Sequence, residues 1–110
     1  MPTVTFNKKE FLCLVGKKLS DVELRDRIPM LGTELEALDA TTLTVEVFPN
    51  RPDLLSEQGF ARAFSSFLGI KPGLKNHVVR KSKVRVIVNK NVTMRPYTAC
   101  AIVKNLKFTD

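Results

Sequence analysis

The sequence predicts a small α+β domain in which short antiparallel strands pack against three helices, and three observations carry that prediction. Two helix starts share one capping grammar, an alternating run over residues 33–48 has the form of a hairpin, and a phenylalanine stripe at helical spacing follows a proline-marked corner. The 110 residues suffice for one ordinary domain, or for a small domain plus part of another. Apolar residues at 44% and charged residues at 26% match a soluble globular protein rather than a disordered one.

Each element follows in order. Val4 and Phe6 alternate with Thr3 and Thr5, a short strand signal. In Phe6-Asn7-Lys8-Lys9-Glu10-Phe11, Asn7 can cap, Glu10 can reach back to it, and Phe6 can staple to Phe11. In Leu19-Ser20-Asp21-Val22-Glu23-Leu24, Ser20, Glu23 and the Leu19/Leu24 pair fill the same positions. Both are capping boxes with hydrophobic staples, which satisfy backbone N–H groups that the first helical turn leaves without partners. Gly16 and Gly32 are natural stops, with Pro29 truncating the second helix. Leu35 and Ala37 then alternate with Glu34 and Glu36, and Leu43, Val45 and Val47 with Thr42, Thr44 and Glu46. The connection Asp39-Ala40-Thr41 is short and polar, so these two strands are expected to be antiparallel neighbours. Phe60, Phe64, Phe67 and Leu68 fall at i, i+4, i+7 and i+8, one apolar stripe of a third helix ended by Gly69. Gly59 in its first turn weakens that helix by about 1 kcal/mol relative to alanine, which suggests a close backbone contact there.

Beyond Gly69 the character changes. Residues 1–57 hold 7 basic and 10 acidic groups, whereas residues 58–109 hold 11 basic groups and no acidic one. Residues 71–82 are basic and carry Pro72 and Gly73, the profile of a linker. Two further strands are predicted, Lys83–Asn89 with Val84, Val86 and Val88 on one face, and Tyr97–Val103 with Tyr97, Ala99, Ala101 and Val103. Two strands bury too little to stand alone, so they are expected to pack on the first unit or to belong to a domain continuing past Asp110. The basic half could face a polyanion, an acidic protein surface or only solvent. Lys75, Arg80, Lys81, Lys83 and Arg85 are the candidate RNA contacts, although few aromatic residues accompany them as stacking platforms.

Several chemistries find no support. His77 is the only histidine and lies in the linker, without a nucleophile motif around it. Cys13 and Cys100 are too far apart in sequence for a CxxC site, and with one histidine they make a poor zinc set, so no metal site is expected. Without a secretory signal or dense cysteine pattern they read as reduced cytoplasmic thiols. The glycines form neither a dinucleotide fingerprint nor a phosphate loop, and no apolar run approaches the ~20 residues of a membrane span. Glu34 and Glu36 are expected to face solvent, and no catalytic residue is assigned.

The corner Asn50-Arg51-Pro52-Asp53 concentrates polar groups. Pro52 fixes its own φ and biases Arg51 toward an extended conformation, Asp53 or Ser56 can cap the next helix, and Asn50 can bond its own turn. Asn50, Pro52 and Asp53 are therefore assigned a structural role. Arg51 stays open between a corner residue and a surface contact to phosphate or carboxylate.

At this corner the chain resembles the N-terminal part of the phenylalanine–tRNA ligase beta-subunit family. The carrying residues are Pro49-Asn50-Arg51-Pro52-Asp53-Leu54-Leu55-Ser56 followed by Gly59, Ala61 and Arg62. The opening Met1-Pro2-Thr3-Val4, the runs Gly16–Ser20 and Leu31–Glu36, and Arg95-Pro96-Tyr97 with Ala99 and Val103 are similar as well. The tight Leu38–Leu43 connection lacks the oligonucleotide-binding insertion of bacterial members and the longer eukaryotic insert, which points to the archaeal type. The resemblance implies an N-terminal domain over 1–70, a linker over 71–82 and the start of the editing domain over 83–110. It implies a cytoplasmic alpha2beta2 heterotetramer that charges tRNA with phenylalanine using ATP and magnesium, with a beta-subunit site that hydrolyses mischarged tyrosyl-tRNA. The editing residues would lie beyond Asp110, so a fragment without catalytic or cofactor residues is the expectation: a structural and docking module for the alpha subunit, with tRNA as the other partner. The alternative is a free-standing basic RNA-binding module.

Overall fold

A computed structural model describes residues 2–107, which fall into two units divided between Lys75 and Asn76. The first contains β1 (Thr3–Asn7), α1 (Lys8–Val15), α2 (Asp21–Met30), β2 (Glu34–Leu38), β3 (Thr42–Glu46), a 3-10 turn (Pro52–Leu54) and α3 (Glu57–Phe67). The α+β class expected from the sequence is the one observed.

The strands form one antiparallel sheet in the order β1-β3-β2. Its central strand is thus the second arm of the hairpin, and the N-terminal strand closes the other side, with Val4 opposite Val45 and Phe6 opposite Leu43. On the outer face Thr5 and Thr44 share a 3.0 Å hydroxyl hydrogen bond. The two arms of the hairpin are not in simple register. Leu35 pairs with Val45 and Ala37 with Thr44, so Glu36 is the extra residue of a bulge. The strict alternation predicted for this strand is corrected accordingly, since Leu38 packs against the core and Ala37 is exposed. The extra residue resets the side-chain phase, which lets both Leu35 and Leu38 face inward where a regular strand would turn one of them out.

Helix starts follow the expected chemistry with one difference. Ser20 and Glu23 form a reciprocal capping box, with Glu23 accepting from the Ser20 N–H at 2.7 Å. At α1 the cap is Asn7 alone, whose Oδ1 accepts from the N–H groups of Lys9 and Glu10 at 3.0 and 3.1 Å, and the predicted return bond from Glu10 is not formed. The staple is present as stacked Phe6 and Phe11 rings with centroids 6.1 Å apart. Gly16 ends α1 in the left-handed region at φ 83°, a conformation that glycine adopts without a Cβ penalty. Pro29 does not stop α2 where the sequence places the break; it lies inside the last turn, and the helix closes through Leu31 N–H to Ile28 and Gly32 N–H to Pro29. One absent donor near the C-terminal end costs a single intrahelical bond and does not break the turn.

The core lies between the inner sheet face and the helices. Phe6, Phe11, Phe60 and Phe64 interlock there, with Phe60 centred 5.3 Å from Phe6 and 5.8 Å from Phe11. Such pairs contribute about 0.5–1.5 kcal/mol beyond their buried area. Leu24, Ile28, Leu43, Val45 and Val47 complete the cluster. The phenylalanine stripe is thus core up to Phe64, while Phe67 is 43% exposed. Ser65, buried beneath it, donates to the Val15 carbonyl at 2.9 Å and ties α3 to the end of α1.

The second unit departs from expectation. Residues 83–89 and 97–103 carry no strand among the described residues, and their side chains are exposed. The two predicted strands are therefore not formed. Alternation assigns residues to faces, but within 76–107 no further strand or helix covers Val84, Val86 and Val88, and an isolated pair of strands is marginal in water.

Candidate functional site

The corner between β3 and α3 is built from backbone constraints outward. Arg51 N–H closes a turn onto the Phe48 carbonyl at 3.0 Å, Pro52 opens the 3-10 turn, and Leu54 from that turn is buried in the core. Arg51 and Asp53 then form a two-pronged ion pair, Nε to Oδ1 and Nη2 to Oδ2, both at 2.9 Å. This fork settles which group caps α3. Asp53 is held by Arg51, and the capping oxygen is Ser56 Oγ, which accepts from Gly59 N–H at 3.1 Å. Asn50 sits exposed in the turn, and its side chain has no hydrogen bond among the described residues, so its predicted bond to the turn is not observed.

Electrostatics follow from these contacts. The Arg51 hydrogen bond, more than its charge, lowers the Asp53 carboxyl below its usual range, and Asp53 in turn raises the Arg51 guanidinium. Nearby, burial and secondarily the charge of Glu10 push the Glu57 carboxyl up, and Glu57 Oε1 is a buried oxygen without a hydrogen-bond partner. Gly59 shows why the corner is tight: a Cβ there would lie 1.9 Å from the Asp53 carbonyl oxygen. The close backbone contact inferred from a glycine in a first helical turn is present.

A second cluster, which the sequence does not reveal, forms where α1, α2 and the hairpin loop meet. Lys8 Nζ pairs with Asp21 Oδ1 at 2.6 Å and donates to the Asp39 carbonyl at 2.9 Å. The Asp39 carboxylate accepts from Thr41 N–H and Thr42 N–H at 2.8 and 2.7 Å and from both threonine hydroxyls. Those bonds, led by the Thr42 hydroxyl, hold its carboxyl far below the usual range. Beside this node lies a depression of about 690 Å³, with Leu12, Gly16, Leu19 and Ala40 in its lining and Lys9, Lys17 and Lys18 around them. Cys13 also lines it and is an exposed free thiol. Sequence spacing could not find it, because its walls come from residues 8–19 and from the hairpin loop at 40.

The remaining candidates are not brought to either cluster. Lys75 is exposed at the end of the first unit, and Arg80, Lys81, Lys83 and Arg85 are exposed in the second, on backbone without regular structure. Glu34 and Glu36 face solvent, as expected. Among the described residues no group of three or more His, Cys, Asp or Glu is placed to hold a metal ion, and no helix is long and apolar enough to cross a membrane.

Known proteins supply the context for this arrangement. No protein-family model matches the chain. The phenylalanine–tRNA ligase beta subunit of Methanopyrus kandleri is 40% identical over 114 residues, covering 100% of this chain and 19% of that protein. The subunit of the same name from Archaeoglobus fulgidus is 40% identical over 111 residues, again covering 100% of this chain and 20% of the relative. The chain thus spans about one fifth of the length of these relatives. Among solved structures, an N-terminal fragment of the phenylalanyl-tRNA synthetase beta subunit from Pyrococcus horikoshii matches with a TM-score of 0.69 and 31% identity, over 87% of this chain and 29% of that one. The chain is thus similar along its whole length to archaeal phenylalanine–tRNA ligase beta subunits, and in fold to a solved N-terminal fragment of one.

Proposed function

We propose that this chain serves as the N-terminal structural and docking part of a phenylalanine–tRNA ligase beta subunit. The observation that carries the proposal is the similarity of its whole length to about one fifth of archaeal beta subunits, together with its likeness to a solved N-terminal fragment of one. In this reading the complete cytoplasmic enzyme, an alpha2beta2 assembly, attaches phenylalanine to its tRNA with ATP and magnesium. Its beta subunit hydrolyses mischarged tyrosyl-tRNA at residues outside this chain. Neither ATP nor magnesium is assigned a residue here: the sequence has no phosphate loop, and the described residues offer no metal-ligand cluster. Residues 1–70 would form the N-terminal domain, 71–82 the basic linker, and 83–110 the start of the editing domain.

The half-buried Arg51 and the exposed Lys75, Arg80, Lys81, Lys83 and Arg85 are the proposed phosphate contacts should the segment meet tRNA. Arg51 spends Nε and Nη2 on Asp53, so it would offer its remaining donors. A free-standing RNA-binding module gains no support from the relatives. Two measurements on purified 1–110 test the proposal together. Co-migration with the cognate alpha subunit in size-exclusion chromatography is expected, and hydrolysis of tyrosyl-tRNA above the buffer rate is not. An active chain, or one that never associates, would overturn it.

A further inference from the structure

The lysine-rimmed depression beside Cys13 has a floor that the fold uses, with Leu19 in the core and Leu12 packed against it, but most of its cationic rim is not so used. Lys8, at its edge, is committed to Asp21 and the Asp39 carbonyl, whereas Lys9, Lys17 and Lys18 form no ion pair among the described residues. The α1 macrodipole accounts for cations behind its C-terminus at Lys17 and Lys18. It does not account for Lys9, which sits in the first turn, where a positive charge is disfavoured, nor for the apolar floor that the three enclose. Lys17 and Leu19 also border a second depression of about 500 Å³, but Glu23, Asp26 and Arg27 line it beside Val22, Phe67 and Leu68, so its charge is mixed and the groove with a cationic rim is the first one alone. Val22 is 77% exposed, an apolar side chain left in water on a helix whose inner face is already packed.

We propose that this groove docks an acidic protein segment carrying aliphatic side chains, its apolar residues seated on Leu12 and Leu19 and its carboxylates at Lys9, Lys17 and Lys18. Charge complementarity selects an anionic partner. The floor of the depression between the three lysines is aliphatic and carries no aromatic ring, so it lacks the platform on which nucleotide bases stack. A protein segment is therefore favoured over RNA. The inference rests on the docking role proposed above and names the surface that performs it.

Cys13 supplies the reporter. In the 110-residue chain with Cys100→Ser, Cys13 is the only thiol, and its rate of reaction with a maleimide reads occupancy of the groove. The probes are the cognate alpha subunit and, separately, tRNA. Saturating alpha subunit should slow the reaction at least tenfold. Lys9→Glu, Lys17→Glu and Lys18→Glu together should weaken alpha binding at least tenfold and abolish protection. An unchanged urea midpoint checks the fold, and the corresponding glutamine triple should give an intermediate loss. Alpha binding that leaves Cys13 at its free rate sinks the groove while sparing the docking role. No alpha binding at all sinks both. Protection by tRNA but not by the alpha subunit, or protection that grows with the concentration of the chain itself, assigns the groove to RNA or to a second copy and overturns the proposal.

Discussion

Replacing Gly59 by alanine decides whether the corner before α3 is held by a backbone contact or only by capping. On helix propensity alone the change should stabilise the chain by about 1 kcal/mol, because Gly59 lies inside α3. The structure reverses the sign. The added Cβ would stand 1.9 Å from the Asp53 carbonyl oxygen and 3.0 Å from Ser56 Oγ. The first neighbour is backbone, fixed between Pro52 and the buried Leu54, and cannot swing aside as a side chain would. Relieving the overlap means moving the 3-10 turn away from α3, at the overpacking cost of about 1–3 kcal/mol, and disturbing a cap that contributes about 1 kcal/mol. Set against the propensity gain, the net loss is about 1–3 kcal/mol. For a unit of this size each kcal/mol lowers the melting temperature by about 4–8 °C. Urea unfolding at neutral pH followed by circular dichroism measures it directly. Ser56→Ala alone should cost about 1 kcal/mol, and Gly59→Ala in that background should lose less than in the wild type, since one of its two clashes is gone. A Gly59→Ala chain as stable as the parent, or more stable, would refute the reasoning.

Four further outcomes can be measured, three of them set by contacts at or beside the same corner. The Arg51–Asp53 pair is about 40% exposed on both sides, so Arg51→Ala should change stability by no more than about 1 kcal/mol, as the shift of a urea midpoint will read. Because the Asp53 carboxyl is lowered in the folded state, its contribution is present above about pH 4 and lost as pH falls through the lowered folded value; the gap between Asp53→Asn and the parent should therefore close in acid. Glu57 has the opposite sign, with burial and then Glu10 raising its carboxyl, so Glu57→Gln should raise the melting temperature at pH 7, with the advantage fading below about pH 4. If Arg80, Lys81 and Lys83 contact tRNA phosphates, changing all three to glutamine should lower the slope of log affinity against log salt by about 2–3, whereas an unchanged slope removes that patch.

What could be read from the sequence is what is decided within a few residues. Ser20 and Glu23, or Asn7 with the N–H groups of Lys9 and Glu10, need only their own turn, and both caps form. The polar connection Asp39-Ala40-Thr41 does what a tight hairpin loop must, with the Asp39 carboxylate gathering the two threonines. Gly59 was legible through its cost: a glycine tolerated in a first helical turn implies something close by. The Arg51–Asp53 fork was only half legible. The spacing was visible, but Asp53 could equally have capped α3, and the choice fell to Ser56 once the guanidinium took the carboxylate. The lysine-rimmed groove was not legible, because its walls meet only after the hairpin folds back beside α1.

The alternating segments show where such reading stops. The same period of two appears at 34–46 and at 83–103, yet the first is a sheet and the second is not among the described residues. The difference lies outside the segments themselves. β3 gains β1 on one side and β2 on the other, and α1, α2 and α3 supply the apolar cover that Val45 and Leu43 require. Val84, Val86 and Val88 have the pattern without the cover. Glu36 makes the point on the scale of one residue. Alternation would bury Ala37, but Leu43 and the helices offer more to Leu38, and the strand takes up a bulge to deliver it. A local pattern thus proposes a face, and the surface that meets it decides both whether the face is used and in which phase.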